Sequence, residues 1–295
     1  MLQFDAIPAA EGQRQTDGSF MKAPAVDYVR PRSLAEAVEL LAEHRGEARV
    51  LAGGQSLMAM MNLRVASPSL LIDIARLPEL AVISDDADAV TLGACVTHAA
   101  IEDGRVPDPS RGLMPRVAAT LSYRAIRTRG TIGGSLALAG PAADWPVVFA
   151  ALDAEVTLFG PSGRRALKCS EFATGPYETQ LDQEEIVETV RIPKLLAEAR
   201  SGYVKLIRPS ASFAEALAVA IVDRGRGLAR VVLGAANGAP LVLHEVSRVI
   251  SENGREAIRD AIAADLDHAA DRHFDEFQRN LLSVAAMRAV QQALQ

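Results

Sequence analysis

The chain has 295 residues, of which 49% are apolar and 23% are charged, a composition typical of globular proteins with two or three domains and a large core. Its net charge of -6 at pH 7 gives no electrostatic basis for binding nucleic acid or an acidic membrane surface. No apolar run reaches the length of about 18 residues that a membrane span requires, and no signal-peptide pattern opens the chain. We therefore expect a cytoplasmic protein without a membrane span.

The cysteines and histidines show no metal-binding pattern. Cys95 and Cys169 are far apart in the sequence, so we expect two buried free thiols, as in a reducing compartment. A [2Fe–2S] cluster takes four thiolates, so any such cluster must lie on another chain. His98 and Glu102 have the spacing of one helix face, for which a solvated pair is the simpler interpretation than a metal site.

The first twenty residues are polar, and a regular α/β pattern follows up to residue 80. Residues 1–20 are polar and show no periodicity, and we expect a disordered extension without function there. A helix then begins after Ser33 as N-cap, with Glu36 at the capping-box position. A strand, an apolar helix and a buried strand follow at 48–52, 57–65 and 70–74. This alternation predicts a small α/β domain with a parallel sheet at 22–80.

A second α+β domain is predicted at 81–197. Short strand patterns occur at 82–83, 90–94, 155–159 and 186–193. Helical patterns occupy 97–103, 113–120 and 143–152. Gly160 and Gly163 bound a hairpin turn.

The remaining residues, 202–295, follow a charged linker at 194–201 and predict a third domain. Strand patterns occur at 202–208, 216–222 and 229–235, and helical patterns occur at 246–250, 255–264 and 277–294. Three strands followed by helices predict an α+β domain with a three-stranded antiparallel sheet.

Two glycine-containing segments, 49–56 and 129–135, resemble each other. In each one a basic residue and a strand-like segment lead into paired glycines and then a small hydroxyl residue. Such a segment leaves backbone N–H groups free to converge on an anion, and two of them could bind one diphosphate. A single copy is most simply a tight turn, but a turn requires neither the repeat nor the hydroxyl. Neither copy has the GxGxxG or P-loop pattern, so neither a Rossmann site nor an NTPase site is indicated.

Longer stretches around these segments carry a family resemblance. AGGQSLMAMMNLRVASPSLLIDIARLPEL at 52–80 and RAIRTRGTIGGSLALAGPAADWPVVFAALDAEV at 124–156 resemble the two flavin-binding segments of the FAD subunit of molybdenum hydroxylases. This is the family of carbon monoxide dehydrogenase, xanthine dehydrogenase and the bacterial N-heterocycle dehydrogenases, and the similarity runs from about Met21 to the C-terminus. It implies an α+β fold of the PCMH type, with two α/β FAD-binding subdomains followed by the C-terminal α+β domain.

The resemblance also implies noncovalent FAD and assigns residues to it. The pyrophosphate would lie between the glycine segments, which contribute Ala52, Gly53, Gly54, Gln55 and Ser56 on one side and Thr131, Ile132, Gly133, Gly134 and Ser135 on the other. Asp144 stands where the family places a carboxylate that contacts ribityl or ribose hydroxyls, although residue type alone equally allows N-capping of the next helix. Val187 matches an apolar position near the flavin ring and is also expected to be a strand core residue.

Lys205 and Tyr203 are the candidate catalytic residues. With Arg208 they match the family segment that places a lysine near the isoalloxazine, whereas a strand lysine is otherwise usually a solvated edge charge. Their two-residue spacing puts them on one strand face, and a cation there would stabilise the anionic reduced flavin. Leu138 and Gly140 replace polar family residues that face the flavin, so we expect altered hydrogen bonding at the flavin edge while FAD still binds.

The implied function is that of the FAD-carrying electron-transfer subunit of a heterotrimeric molybdenum hydroxylase. Molybdopterin would lie on a large partner subunit and [2Fe–2S] clusters on a small one, commonly in a dimer of heterotrimers, and electrons would leave through FAD to an external acceptor. One alternative is a self-contained flavin oxidoreductase of the same fold, although the sequence offers no acid/base set for it. The other is a degenerate assembly module without tight FAD, which Leu138 and Gly140 suggest.

Overall fold

The structure of the protein is a computed structural model that describes residues 22–207, 213–252 and 254–295. The predicted extension at 1–20 and Arg208 lie outside the described residues. Within these ranges the strands form three larger sheets and one two-stranded hairpin. None of the described helices is long and apolar enough to cross a membrane.

The first sheet is parallel, as predicted. Its elements are β1 (Asp27–Val29), α1 (Leu34–Glu43), β2 (Ala48–Leu51), α2 (Leu57–Asn62) and β3 (Leu70–Asp73). The strand order is β1-β3-β2, and both pairings are parallel. The predicted cap of α1 is confirmed, because the Ser33 hydroxyl accepts the Glu36 N–H. Helix α2 ends three residues before the predicted end, and Arg64 just beyond it has left-handed backbone with φ of 57°.

A five-stranded sheet with order β4-β5-β10-β6-β7 follows. The strands of this region are β4 (Ile83–Asp85), β5 (Ala89–Gly93), β6 (Glu155–Gly160), β7 (Gly163–Lys168), β8 (Ala173–Gly175), β9 (Glu178–Thr179) and β10 (Ile186–Pro193). Its helices are α3 (His98–Glu102), α4 (Leu113–Ala119), α5 (Arg124–Arg127), α6 (Ile132–Leu138), α7 (Asp144–Ala151) and α8 (Cys169–Phe172). The Gly160–Gly163 hairpin is confirmed by the pairing of these two residues at the end of β6 and β7.

The third sheet is antiparallel and has the order β11-β12-β13-β14. Its strands are β11 (Arg200–Ile207), β12 (Ala214–Asp223), β13 (Leu228–Gly234) and β14 (Leu241–Val242), and its helices are α9 (His244–Ser251), α10 (Ile258–His268) and α11 (Glu276–Ala293). The three predicted strands are present, and the two-residue β14 adds a fourth that is too short to give a periodic signal. The α+β class is confirmed, whereas the domain boundaries stay a prediction.

One core joins the three sheets. Strand β12 is buried on both faces: Leu217, Val219 and Ile221 belong to the core shared with the first two sheets, whereas Ala218 and Ala220 face the C-terminal helices. Helix α7 lies against β12 and β13, and all eight of its residues are buried. Packing on every side explains why all residues of α7 after Asp144 are apolar and the helix has no polar face. The start of α7 is thereby fixed against the third sheet.

Candidate functional site

The two glycine segments are in direct contact. A Cβ on Gly53 would lie 2.1 Å from the carbonyl oxygen of Arg129 and 2.9 Å from the Cα atom of Gly130. In addition, Nε of Arg129 lies 3.4 Å from the carbonyl oxygen of Gly53. Only glycine fits at position 53, because any side chain would collide with the backbone of the other segment. The similarity seen in the sequence therefore corresponds to a physical pair of loops.

The first loop presents backbone donors. Among the residues that the structure describes, no protein acceptor takes the N–H groups of Gly53, Gly54, Gln55 or Ser56. The loop turns at Gly54, whose φ is +73°, and is braced by Gln55, whose Nε2 donates to the Gly53 carbonyl oxygen at 3.0 Å. Consecutive free amides of this kind form a concave anion-binding surface.

The second loop differs from the prediction. No strand leads into it: Thr131 makes one isolated bridge with Thr97 and then caps α6, so the glycine pair lies in the first helical turn. The N–H of Ile132 donates to Val96, that of Gly133 to Ala94, and that of Gly134 to Thr131 Oγ1. The expectation that these amides are free is therefore wrong for the second loop, because carbonyl oxygens just after β5 and the hydroxyl of the capping Thr131 accept their hydrogen bonds.

The glycines of the second loop serve two different purposes. A Cβ on Gly133 would lie 2.4 Å from the Cβ of Ala94, so this glycine is required by packing. Gly134 is exposed, and a Cβ there would approach only Thr131 Oγ1, at 3.0 Å. The side chain of Ile132 is fully buried, which leaves Gly134 and the half-buried Ser135 as the surface of this loop.

A buried histidine supports the second loop from beneath. The His98 N–H donates to the carbonyl oxygen of Gly130 at 2.9 Å, and Nε1 of Trp145 donates to His98 Nδ1 at 2.9 Å. Burial, with a smaller contribution from the nearby Arg127 charge, lowers the pKa of His98 to about 4, so the ring is neutral at pH 7. The predicted solvated pair with Glu102 is wrong, because Glu102 instead binds Arg127 with both oxygens.

Asp144, Tyr203 and Lys205 form one hydrogen-bonded cluster. The Tyr203 hydroxyl donates to Asp144 Oδ1 at 2.7 Å, and Lys205 Nζ donates to Asp144 Oδ2 at 2.8 Å. The side chains of Asp144 and Lys205 are only 4% and 14% exposed. The N-capping interpretation of Asp144 is wrong, because Asp144 is the first residue of α7 and makes no cap bond. The predicted shared face of Tyr203 and Lys205 is confirmed, since both reach the same carboxylate.

Two further residues of this cluster were missed by sequence reasoning. The hydroxyl of Thr120, just after α4, lies 2.9 Å from the Tyr203 hydroxyl, and Oε1 of Gln292 in α11 accepts the Tyr203 N–H at 2.9 Å. Burial, followed by the charge of Asp144, raises the pKa of Tyr203. Neither Thr120 nor Gln292 lies in a motif, so only the folded chain reveals them.

The remaining candidate residues lie in the core or at its edge. Val187 is 4% exposed and belongs to the shared core, where it pairs with Leu158 of β6. This confirms its role as a strand core residue. Cys95 and Cys169 are free thiols, half-buried and buried respectively, and burial raises the pKa of Cys95 to about 12. Burial also raises the pKa of Cys169, so both thiols are protonated at neutral pH.

The two loops fit a diphosphate in different ways. The first offers backbone N–H groups that no described residue accepts, the donors that phosphate oxygens require in number. The second offers the Cβ-free surface of Gly134 and the hydroxyl of Ser135. Ala52 is half-buried and Ser56 is exposed at the start of α2 without a cap bond, so its hydroxyl is also available. The residues present fit FAD through backbone groups and small side chains.

Comparison with known proteins places this chain in a family. Residues 23–195 match the family described as the FAD binding domain in molybdopterin dehydrogenase. The chain is 33% identical over 250 residues to the carbon monoxide dehydrogenase medium chain of Hydrogenophaga pseudoflava, covering 84% of this chain and 87% of that protein. It is 31% identical over 282 residues to the nicotine 6-hydroxylase medium subunit of Paenarthrobacter nicotinovorans, covering 92% of this chain and 99% of the relative.

Solved structures agree with the sequence matches. Carbon monoxide dehydrogenase from Hydrogenophaga pseudoflava, in a form that lacks the Mo-pyranopterin moiety, superposes with a TM-score of 0.84 at 30% identity, over 93% of this chain and 99% of that chain. Quinoline 2-oxidoreductase from Pseudomonas putida 86 superposes with a TM-score of 0.77 at 28% identity, over 92% of this chain and 98% of that chain.

The fold and the paired glycine loops thus define a flavoprotein component of an oxidoreductase. More narrowly, the chain belongs to the family of FAD-binding domains of molybdopterin dehydrogenases. FAD is accordingly its cofactor. The family resemblance seen in the sequence and the PCMH-type fold that it implied are both confirmed.

Proposed function

We propose that this chain is the FAD-carrying electron-transfer subunit of a heterotrimeric molybdenum hydroxylase. The observation that carries the proposal is the extent of the match: the chain spans 99% of a protein named a medium subunit and keeps free amides in the first glycine loop. FAD, when bound, supplies the ability to take up electrons and pass them to an external acceptor. The cytoplasm is the proposed location, and the two unpaired thiols are compatible with it.

The other redox centres are assigned to partner chains. Among the described residues no group of histidine, cysteine or acidic side chains could hold a metal ion. The whole chain has two cysteines, whereas a [2Fe–2S] cluster takes four thiolates. We therefore assign molybdopterin to a large subunit and the clusters to a small subunit, in a dimer of heterotrimers. The relatives named medium chain support this division.

The residues of the chain have separate proposed tasks toward FAD. The first loop, Ala52 to Ser56, binds phosphate oxygens through backbone N–H groups, and Gly134 and Ser135 admit the diphosphate on the opposite side. Lys205 and Tyr203 lie beside the isoalloxazine, and Val187 supports the ring from the sheet. Asp144 holds Lys205 and Tyr203 in place, and its contact with a ribityl or ribose hydroxyl remains part of the proposal.

The testing experiment is purification of the tagged full chain from its source cell, followed by a visible spectrum and mass spectrometry of co-eluting chains. We expect flavin bands, iron–sulfur absorbance and two partner chains, one carrying molybdopterin. A yellow protein that elutes alone and oxidises a substrate would instead establish the self-contained oxidoreductase. A colourless protein that still binds partners would establish the degenerate assembly module.

A matched variant separates cofactor binding from assembly. Gly134→Val should remove the flavin bands, because its side chain would project into the space proposed for the diphosphate, while the partner chains still co-elute. Ala263→Val, at an exposed position of α10, introduces the same side chain far along the chain and should keep flavin and partners. Retention of full flavin by Gly134→Val would contradict the proposed position of the diphosphate.

A further inference from the structure

A groove lined by arginines lies between α4 and the segment that leads into β11. Arg111, Arg116, Arg200 and Ser201 line it together with Leu195 and Ala199, and its volume is about 260 Å³. Leu195 and Ala199 are buried and contribute the apolar part of the lining. The Leu195 N–H donates to the Pro109 carbonyl oxygen at 2.8 Å, which joins the two walls.

Two of the arginines, Arg116 and Arg200, have guanidinium N–H groups that no described residue accepts. Nη2 of Arg116 lies 3.4 Å from the Ser201 hydroxyl, a long hydrogen bond that uses one of its donors. Arg200 donates through Nη1 alone, to two backbone carbonyl oxygens of its own segment at 3.2 Å. In the part of the chain that the structure describes, neither one forms an ion pair with a carboxylate. An arginine has five N–H donors, so both groove arginines keep donors that no described residue accepts.

The third arginine, Arg111, lies in a turn whose backbone N–H groups donate to the carboxylate of Asp108. Asp108 accepts the N–H groups of Ser110 and Gly112, so its oxygens stabilise the turn. Arg111 within this turn has a left-handed backbone with φ of 54°, an uncommon conformation for a residue with a side chain. The turn therefore places Arg111 in the lining of the groove, while the oxygens of Asp108 accept backbone N–H groups of the turn.

We propose that this groove binds a small ligand that carries a phosphate group. Guanidinium groups match phosphate oxygens with paired N–H donors, and among the described residues none of the three arginines forms an ion pair, in a chain whose net charge is -6. A volume of about 260 Å³ exceeds the space of a single small ion and suits a small phosphate monoester. Concave sites at the boundary between packed units are common ligand positions.

The groove lies close to the Asp144 cluster without sharing its residues. Arg116 and Thr120 are four residues apart at the end of α4, and they contact Ser201 and Tyr203 respectively, on one face of β11. None of the lining residues belongs to the glycine loops. Occupation of the groove is therefore compatible with bound FAD, and its test can be made on the flavin-loaded protein.

The experiment is calorimetric titration of the FAD-saturated full chain with inorganic phosphate and, separately, glycerol 3-phosphate. Ionic strength is held constant with sodium chloride, and an unchanged flavin spectrum shows that FAD stays in place. We expect saturable binding at one site. Tighter binding of the ester identifies a phosphate monoester as the ligand, and equal affinity identifies the free ion; both results support the site.

Substitutions locate the binding. Arg116→Gln and Arg200→Gln should each weaken phosphate binding about tenfold or more, as expected for the loss of a charge-assisted hydrogen bond. Arg259→Gln, at an exposed position of α10, removes the same charge elsewhere and should leave the affinity unchanged. Heat without saturation, or equal affinity in the wild type and both groove variants, would overturn the proposal.

Discussion

Nζ of Lys205 lies 2.8 Å from Oδ2 of Asp144, so the first strand of the third sheet is joined by an ion pair to the helix that follows the second glycine loop. Both side chains are largely buried. A buried pair of this kind fixes geometry, because neither charge tolerates separation from the other. The position of the candidate catalytic lysine is thus set by a residue sixty-one positions earlier.

Breaking this pair should destabilise the protein. Lys205→Met leaves the Asp144 carboxylate buried with only the Tyr203 hydroxyl as donor, and we expect a loss of about 3 kcal/mol in the free energy of unfolding. Asp144→Asn with Lys205→Met should cost clearly less than the sum of the single changes. Urea unfolding of the three variants measures this difference. Strict additivity would show that the two side chains do not interact in solution.

The same pair should control the flavin potential if Lys205 lies beside the ring. Lys205→Met removes a positive charge and should lower the midpoint potential of bound FAD, by about 30 mV for each 1.4 kcal/mol of lost stabilisation. Asp144→Asn should raise it, because Lys205 is then uncompensated. Spectroelectrochemical titration of the FAD-loaded variants gives the sign. An unchanged potential in both variants would remove Lys205 from the neighbourhood of the ring.

Glycine substitutions should separate packing from cofactor binding. Gly134→Val is expected to reduce FAD affinity at least about tenfold with little change in the melting temperature of the FAD-free protein, because its Cβ approaches only Thr131 Oγ1. FAD titration by fluorescence and a thermal melt measure the two effects.

Gly53→Ala provides the contrast to that variant. Its Cβ would collide with the Arg129 backbone, so it should lower the melting temperature even without FAD. A stable Gly53→Ala protein would show that the two loops separate readily. Loss of stability in Gly134→Val of the same size would mean that both glycines serve packing alone.

His98 should make the protein sensitive to acid. Its pKa is about 4 in the folded chain and about 6.5 when unfolded. The unfolded state therefore binds more protons between these values, and stability falls as pH drops from about 6.5 toward 4. The full effect is on the order of 3 kcal/mol. The fall should be smaller in His98→Gln, whose amide oxygen can still accept from Trp145; equal pH slopes in the two proteins would exclude His98 as the titrating group.

Part of this molecule could be predicted from local pattern. The N-cap at Ser33, the parallel first sheet and the hairpin at Gly160 and Gly163 follow from residue spacing and turn chemistry, which act within a few positions of the chain. The glycine loops were recognised as a pair because the requirement for small residues is visible in the letters themselves.

Other features depend on contacts between distant segments. The hydrogen bonds of the Gly133 and Gly134 N–H groups could not be recognised from the sequence. One acceptor, Ala94, lies about forty residues earlier, just after β5, and the other, the Thr131 hydroxyl, is positioned only once Thr131 caps a helix. His98 was expected to be solvated because its burial under Trp145 is a tertiary contact.

The sequence by itself determined the family, the α+β class and the segments proposed to meet the cofactor, because glycine spacing and strand or helix periodicity are local properties. Tertiary structure decided which groups of those segments are available for binding. Among the described residues, the amides of the first loop have no acceptor, whereas those of the second loop donate to other residues of the chain. Folding also placed the Asp144 carboxylate against Lys205 and Tyr203. The reason is that hydrogen-bond partners and burial depend on which surfaces meet when the chain folds, and residues far apart in sequence carry no local sign of that encounter.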